Sequence, residues 1–212
     1  MNKDFSNKRI ILASQSPRRH SLIKKLNVDF ETVLPAFDEK LESDNYSDRI
    51  IQSLSLKKAL SVLDNPKNGA DKKSLKNSLV VSADTVVVLE NKILGKPKNS
   101  AHAIQMLHSL SGKAHFVVTA VSVVDSDTKK VFSKLVKTYV TFNKLSDKLI
   151  EDYVSQKKPL DKAGAYGIQE MGSEFIKDVD GDLENVIGLP TKALKELLLQ
   201  AGYSFSSSIS QY

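Results

Sequence analysis

Two consecutive arginines follow a serine-rich segment near the start of the chain. Residues 14–17, Ser-Gln-Ser-Pro, precede Arg18 and Arg19, and Ser16-Pro17 is typical of a helix start, with Ser as the N-cap and Pro in the first turn. A first turn attracts anions through its free N–H groups and its dipole. We therefore interpret the two arginines, which oppose that dipole, as ligands of a bound phosphate. A capped helix with two surface arginines is the alternative.

A single aspartate interrupts a strongly apolar segment. Asp84 lies in LVVSADTVVVL, residues 79–89, and the two-residue period of a strand places it on the same face as Ser82 and Val86. Strands disfavour Asp, and an isolated buried carboxylate is costly. It needs a cation, a hydrogen-bond cluster or a metal, so Asp84 is a candidate catalytic residue. The alternative is an Asp near a strand end that caps a turn.

Other charged residues stand in short, distinctive motifs: Glu39, Lys58, Lys96, Asp161 and Lys162. Each of these alone is more often solvated surface than functional site. The segment Gly-Ala-Tyr-Gly at residues 164–167 can bring backbone close to a ligand. The chain contains neither GxGxxG nor GxxxxGK[ST], which argues against Rossmann and P-loop nucleotide sites.

The metal chemistry open to the chain is narrow. It has no cysteine, which excludes disulfides, zinc fingers and thiol catalysis. Its 4 histidines show no metal-ligand spacing such as HExxH. Any metal site must therefore consist of carboxylates and water, which suits Mg²⁺ or Mn²⁺ bridged to substrate phosphates.

The elements that must position these residues follow from the hydrophobic pattern. Strands are predicted at residues 9–14, 30–34, 79–89, 116–124, 131–142 and 175–179, with a short return strand ending at residue 94. Helices are predicted after the cap Ser16, over residues 47–63, and after caps at Ser100, Ser146 and Thr191. Alternating elements followed by a long antiparallel pair predict an α/β or α+β fold with a mixed sheet.

Composition bounds the remaining classes. The 212 residues are 41% apolar, enough for one large domain. The net charge of +6 is spread along the chain, so it suits an anionic ligand better than a nucleic-acid footprint. The apolar runs are too short for a signal peptide or for the ~20 residues of a membrane helix. We expect a cytoplasmic, single-domain protein over residues 1–212, with a frayed tail at residues 204–212.

Five motif regions together resemble the Maf family of nucleotide pyrophosphatases, first named as septum-formation inhibitors. They are ILASQSPRR, SADTVVVL with ILGKPK, MLHSLSGKAHFVVTAVSV, DKAGAYGIQ and NVIGLP. They occur in the family's order from about residue 9 to residue 202, nearly the whole chain. The resemblance implies an α/β fold with a mixed, elongated sheet and flanking helices in two lobes around a cleft, similar to the inosine-triphosphate pyrophosphatases.

The resemblance also implies the chemistry. Family members hydrolyse nucleoside triphosphates between the α- and β-phosphates with a divalent metal cation, Mg²⁺ or Mn²⁺. Asp84 matches the catalytic carboxylate, described in the family as the proton acceptor, and Glu39 is expected to join it as a metal ligand. The other matching polar positions of the cleft are Ser14, Arg19, Lys58, Lys96 and Lys162.

Arg18, Thr85 and Gln169 match the positions at which the family selects the base. They are similar to the branch acting on dTTP and UTP, whereas the 7-methyl-GTP branch carries a bulky aromatic in place of Arg18 and Glu in place of Gln169. A Gln amide can both donate and accept, which matches O4 and N3–H of uracil or thymine. The implied function is house-cleaning of nucleotide pools, by hydrolysis of dTTP, UTP or modified pyrimidine nucleotides to the monophosphate and pyrophosphate.

Two other functions stay open at this point. The family's first name keeps a nucleotide-binding regulator of septum formation in view, and net charge alone suggests nucleic-acid binding, which would be steeply salt dependent. We expect a nucleoside triphosphate partner, no membrane and no specific nucleic acid, and the resemblance leaves a homodimer open. The loop at residues 64–78 and the Ser-rich tail depart from the family pattern, but both lie outside the motifs.

Overall fold

A computed structural model describes residues 8–36, 43–65 and 75–205 of the chain. The strands are β1 (Arg9–Leu12), β2 (Phe30–Thr32), β3 (Ser78–Leu89), β4 (Lys92–Leu94), β5 (Ala114–Asp125), β6 (Val131–Phe142) and β7 (Ile176–Asp180). The helices are α1 (Pro17–Lys24), α2 (Asp48–Asp64), α3 (Ser100–Leu110), α4 (Asp147–Lys157), α5 (Leu183–Ile187) and α6 (Thr191–Gln200). Short 3₁₀ turns occupy Ala163–Ala165 and Ile168–Glu170.

The seven strands within the described residues belong to one mixed sheet. Its order is β2-β1-β3-β5-β6-β7, and β4 pairs with β3 off this path. The pairs β1–β2 and β1–β3 are parallel, whereas β3, β5, β6 and β7 pair antiparallel. The mixed α/β fold is therefore confirmed, and β3 is the strand on which the parallel and antiparallel parts of the sheet meet.

The alternation of side chains along β3 separates the packing on its two faces. Even-numbered residues such as Val80 and Val86 pack beneath α2, because successive side chains of a strand point to opposite faces. On the odd-numbered face, Ala83 belongs to a cluster with α1 and α6, whereas Val87 belongs to a second cluster with α3 and α4. These two clusters are the cores of two lobes, and Thr85 lies between them.

One edge of β3 is open where the two lobes separate. β1 pairs with β3 as far as Val81, and β4 pairs with the same edge only from Val87 onward. The other edge of β3 is covered by β5 throughout. Among the described residues, 82–86 therefore have no ladder partner on the open side, and both Asp84 and Thr85 lie at this gap.

Several predicted helix boundaries need correction. Asn99, not Ser100, is the N-cap of α3, and its side chain accepts from the backbone N–H of His102. Both residue types suit a cap, so the sequence could not choose between neighbours. Thr191 is the first residue of α6 rather than its cap, which is Pro190.

The caps at Ser16 and Ser146 are confirmed, since each side chain accepts a backbone N–H of its helix. The short helix α5 was missed, because five residues are too few to show helical periodicity. Most of the loop at 64–78 and of the tail at 204–212 lies outside the described residues. Across the parts of the chain that the structure describes, no helix has the length and apolar character needed to cross a membrane.

Candidate active site

A cleft of about 480 Å³ opens over the gap beside β3, between the two lobes. It is lined by these residues predicted from the sequence: Arg18, Arg19, Lys58, Asp84, Thr85, Lys96, Lys162 and Gln169. A second cavity of about 380 Å³ shares Arg18, Arg19, Lys58 and Lys96 with the first and is also lined by Ser14. The sequence motifs that lie far apart along the chain therefore meet at one place.

Asp84 and Lys58 form a buried ion pair at the floor of this cleft. Asp84 Oδ2 lies 2.6 Å from Lys58 Nζ, and the two residues are 7% and 3% exposed. Asp84 is carried by β3 and Lys58 by α2, which covers the even-numbered face of that strand. Of the three partners that the sequence left open for this carboxylate, the structure shows a cation.

Hydrogen bonds between serines join α2 to β3 and β5 close to this ion pair. The Ser82 hydroxyl donates to the backbone carbonyl of Ser55 at 2.7 Å, and the Ser55 hydroxyl donates to Ser122 Oγ at 3.0 Å. Ser82 precedes Asp84 by two residues on the same strand face, and Ser55 precedes Lys58 by about one helical turn. These contacts set the register in which Lys58 reaches Asp84.

Arg19 is oriented on three sides. Its Nε donates to the carbonyl of Gly188 at 2.9 Å, Nη2 donates to Thr85 Oγ1 at 3.2 Å, and Nη1 lies 3.4 Å from Ser14 Oγ. The backbone N–H of Arg19 is in turn accepted by the N-cap Ser16. A guanidinium held in this way loses little side-chain entropy when an anion binds.

Arg18 joins the two lobes through a chain of charges. Its Nη1 lies 2.9 Å from Asp161 Oδ2, and Lys162 Nζ lies 2.9 Å from Asp161 Oδ1 and 3.2 Å from Glu170 Oε1. Burial alone would raise the pKa of the Asp161 carboxyl, but the hydrogen bonds from Lys162 and Arg18 outweigh it and hold that pKa below its ordinary value. Asp161 is therefore a carboxylate that arranges two cations of the cleft.

The segment around residues 162–170 is shaped to lie close against the sheet. Gly164 has a φ of +65°, and a Cβ added there would lie 2.9 Å from Val87 Cγ2. The backbone N–H of Gly167 donates to the Tyr153 hydroxyl at 3.0 Å. This close approach brings the buried Lys162 and the exposed Gln169 to the cleft. Lys96 is exposed at the same cleft.

Not every functional candidate can be placed. Glu39 lies outside the described residues, so its prediction as a metal ligand stays a prediction. Sequence reasoning noted Asp161 but gave it no role, and it missed Glu170 and Gly188. The adjacency of Glu170 to Gln169 was one available signal. The use of the Gly188 carbonyl by Arg19 depends on a contact 169 residues apart, which no local pattern reveals.

The floor of the cleft also fits a divalent cation. Apart from its ion pair with Lys58, Asp84 Oδ2 accepts no well-aligned hydrogen bond from the described residues. Carboxylate oxygens are the ligands that Mg²⁺ and Mn²⁺ prefer, and Mg²⁺ is usually held by one or two carboxylates together with phosphates and water. In the described parts of the chain, no three His, Asp or Glu residues gather into a metal-binding group.

Fold and site together define a mixed α/β protein with a deep basic cleft around a buried carboxylate, the arrangement expected for binding a polyanion. Comparison with known proteins agrees with this class. A family model described as "Maf-like protein" matches residues 9–201. The chain belongs to the Maf-like protein family.

Named relatives align with almost the whole chain. It is 43% identical over 189 residues to a protein of Thermosipho melanesiensis named dTTP/UTP pyrophosphatase, spanning 89% of this chain and 96% of the relative. It is 40% identical over 198 residues to a protein of that name from Dictyoglomus turgidum, spanning 93% and 98%. For the Bacillus cereus protein of that name, the identity is 42% over 193 residues, spanning 91% and 90%.

Proposed function

We propose that this protein is a nucleoside triphosphate pyrophosphatase that hydrolyses dTTP and UTP to the monophosphate and pyrophosphate. The observation that carries the proposal is the buried Asp84–Lys58 pair, 2.6 Å apart, at the floor of a cleft lined by further cations. The relatives at about 40% identity over most of the chain, all named dTTP/UTP pyrophosphatase, support the same activity.

The triphosphate lies among the cations of the cleft. Arg19, whose guanidinium is already oriented, and Lys96 and Lys162 from the opposite lobe neutralise its charge, since cations placed where charge develops stabilise phosphoryl transition states. The base lies beside Arg18, Thr85 and Gln169. Support comes from the cavity itself, whose lining includes these residues.

A divalent metal, Mg²⁺ or Mn²⁺, is the cofactor that this donor set suits. Asp84 would hold it, together with Glu39 and oxygens of the substrate. When bound, such an ion neutralises phosphate charge and lowers the pKa of a coordinated water. A chelator is therefore expected to abolish hydrolysis, and added Mg²⁺ or Mn²⁺ to restore it.

Asp84 is the group that removes the proton in the hydrolytic step. A water oxygen forms a bond to the α-phosphorus as the bond between that phosphorus and the bridging oxygen breaks, and pyrophosphate leaves with the bonding electron pair. The proton of the water passes to the Asp84 carboxylate, which Lys58 orients. The arginines and lysines contribute mainly by positioning and electrostatics.

Pyrophosphate release from a panel of nucleoside triphosphates tests the proposal. With Mg²⁺ or Mn²⁺ present, UTP and dTTP should yield pyrophosphate faster than CTP, ATP or GTP. Saturable binding of UTP without any pyrophosphate would contradict the proposal and favour the nucleotide-binding regulator. Faster hydrolysis of a purine nucleotide would contradict the assignment of the substrate class.

A further inference from the structure

Two threonines meet in the middle of the sheet, next to the cleft. Thr85 of β3 and Thr119 of β5 are direct partners in the strand register, and their hydroxyl oxygens are 2.9 Å apart. Thr85 lines the cleft, whereas Thr119 is fully buried and does not line it. Each of the two hydroxyls has one proton, so either could donate this hydrogen bond.

The surrounding contacts decide the direction of that hydrogen bond. Thr119 Oγ1 lies 3.0 Å from the backbone carbonyl of Asn185, which can only accept, so Thr119 donates its single proton there. The 2.9 Å contact must then be donated by Thr85. Arg19 Nη2, which can only donate, lies 3.2 Å from the same Thr85 oxygen, so Thr85 accepts from Arg19.

If the hydrogen bond between the two threonines ran in the opposite direction, the Thr85 hydroxyl would still be unable to donate to a substrate. If Thr119 instead donated to Thr85, the Thr85 proton would turn to the Gly188 carbonyl, 3.4 Å away. That bond is long for O–H···O geometry, and the Asn185 carbonyl would lose its donor. In both arrangements the only proton of Thr85 is used inside the protein. In the favoured one a lone pair of this cleft-lining hydroxyl has no partner among these contacts.

A hydroxyl that can only accept needs a donor as its partner in the substrate. Triphosphate oxygens at neutral pH accept hydrogen bonds and do not donate them, so they are poor partners for Thr85. The N3–H of uracil or thymine is a donor, whereas N3 of cytosine is an acceptor. The direction of the Thr85–Thr119 hydrogen bond therefore matches N3–H of uracil or thymine and opposes N3 of cytosine.

We propose that Thr119 is a positioning residue for base selection: by accepting the hydrogen bond of the Thr85 hydroxyl, it leaves Thr85 as an acceptor that favours a base with a ring N–H. This inference rests on the proposed function and deepens it. Thr119 acts through Thr85 and touches no substrate, so its removal changes which base is preferred, while the groups that surround the phosphates stay in place.

The test is the ratio of kcat/KM for UTP to kcat/KM for CTP. In Thr119→Val the Thr85 hydroxyl loses its short acceptor and keeps only the long contact with the Gly188 carbonyl, so it can turn to donate into the cleft. We expect this ratio to fall at least about threefold, the effect of one hydrogen bond. Thr119→Ser keeps the hydroxyl and should keep the ratio of the unaltered protein. In the double variant Thr85→Val/Thr119→Val the ratio should equal that of Thr85→Val alone, because Thr119 acts only through Thr85.

Thr138→Val is the matched control. Thr138 is also a fully buried threonine whose hydroxyl contacts Asn185, through Nδ2 at 3.0 Å. Its replacement should lower stability and leave the UTP:CTP ratio unchanged. An equal fall of the ratio in Thr138→Val, or an unchanged ratio in Thr119→Val, would overturn the proposal.

The unaltered protein provides a second measurement that does not depend on a variant folding. UTP methylated at N3 has no ring N–H, so it should be hydrolysed as poorly as CTP; hydrolysis as fast as that of UTP would overturn the proposal. If Thr119→Val changes the UTP:dUTP ratio instead, Thr85 contacts the sugar and the base assignment is wrong. Absence of pyrophosphate release from UTP by the unaltered protein would mean that the proposed function itself fails.

Discussion

At the scale of single residues, the site is organised around a buried carboxylate. Asp84 is 7% exposed, and a buried charge is tolerated only with a compensating partner. Lys58, itself 3% exposed, supplies that partner. The pair places a proton acceptor and a cation together at the floor of the cleft, where a phosphate ester would be attacked.

Asp84→Asn should retain the fold and lose about 10²-fold or more of kcat, the scale of general-base catalysis. The amide is nearly isosteric but cannot take a proton from water. Steady-state release of pyrophosphate from UTP measures the effect. Asp178→Asn, an exposed position on β7, is the control with the same chemical change, and near-normal turnover in Asp84→Asn would remove this residue from catalysis.

Gln169→Glu should weaken the use of UTP and dTTP, lowering kcat/KM about tenfold. The substitution removes an amide donor and brings a negative charge toward carbonyl oxygens of the base, and an unpaired polar contact costs about 1–3 kcal/mol. Gln105→Glu, at an exposed position on α3, is the matched control. An unchanged preference among nucleotides would exclude Gln169 from the base pocket.

At the scale of elements, the catalytic role that we propose for Asp84 depends on how α2 lies on β3. The ion pair joins the two elements at one point, and the serine contacts join them nearby, through the Ser82 hydroxyl and the Ser55 carbonyl. A small shift of the helix along the strand would separate Lys58 from Asp84. We therefore expect the buried serines to contribute to alignment as well as to stability.

Ser82→Ala should lower the free energy of unfolding by about 1 kcal/mol and reduce kcat more than it alters KM. The reason is that the helix loses the contact that sets the approach of Lys58 to Asp84. Ser78→Ala removes another buried hydroxyl of the same strand, one that donates to Lys76 at 3.2 Å. That variant should lose stability without the kcat effect, and equal kcat values in the two variants would contradict the alignment role.

At the scale of the whole molecule, the response to acid comes from groups in both lobes. Lowered pKa values at Asp125, Asp161 and Glu184, each paired with a cation, give stability that is lost as pH falls through those folded-state values. His115 acts at higher pH. Burial lowers the pKa of His115 to about 4, so the unfolded chain takes up this proton from about pH 6.5 downward while the folded protein does not.

Between about pH 6.5 and pH 4, His115 should therefore remove stability, on the order of 3 kcal/mol in total. The unfolded state binds more protons in this interval, so stability falls as the solution is acidified. His115→Phe, in a site already lined by Phe142 and Tyr166, should flatten the dependence. Denaturant unfolding at several pH values measures it, and identical slopes for both proteins would contradict the assignment.

The sequence predicted those features that depend on neighbouring residues along the chain. The cap at Ser16 and the anomalous Asp84 were readable because each stands out against its immediate neighbours, and the α/β alternation gave the mixed sheet. The Thr85–Thr119 contact depends on the register of two strands, and the contact of Arg19 with Gly188 depends on the meeting of α1 with α5. Such contacts arise only in the folded chain, so no motif contains them.

The position of bond cleavage tests the central claim most directly. UTP is hydrolysed by the unaltered protein in ¹⁸O-labelled water, and mass spectrometry shows which product carries the label. Attack at the α-phosphorus in the cleft around Asp84 predicts labelled UMP and unlabelled pyrophosphate. Label in the pyrophosphate, or release of UDP and inorganic phosphate, would contradict the account.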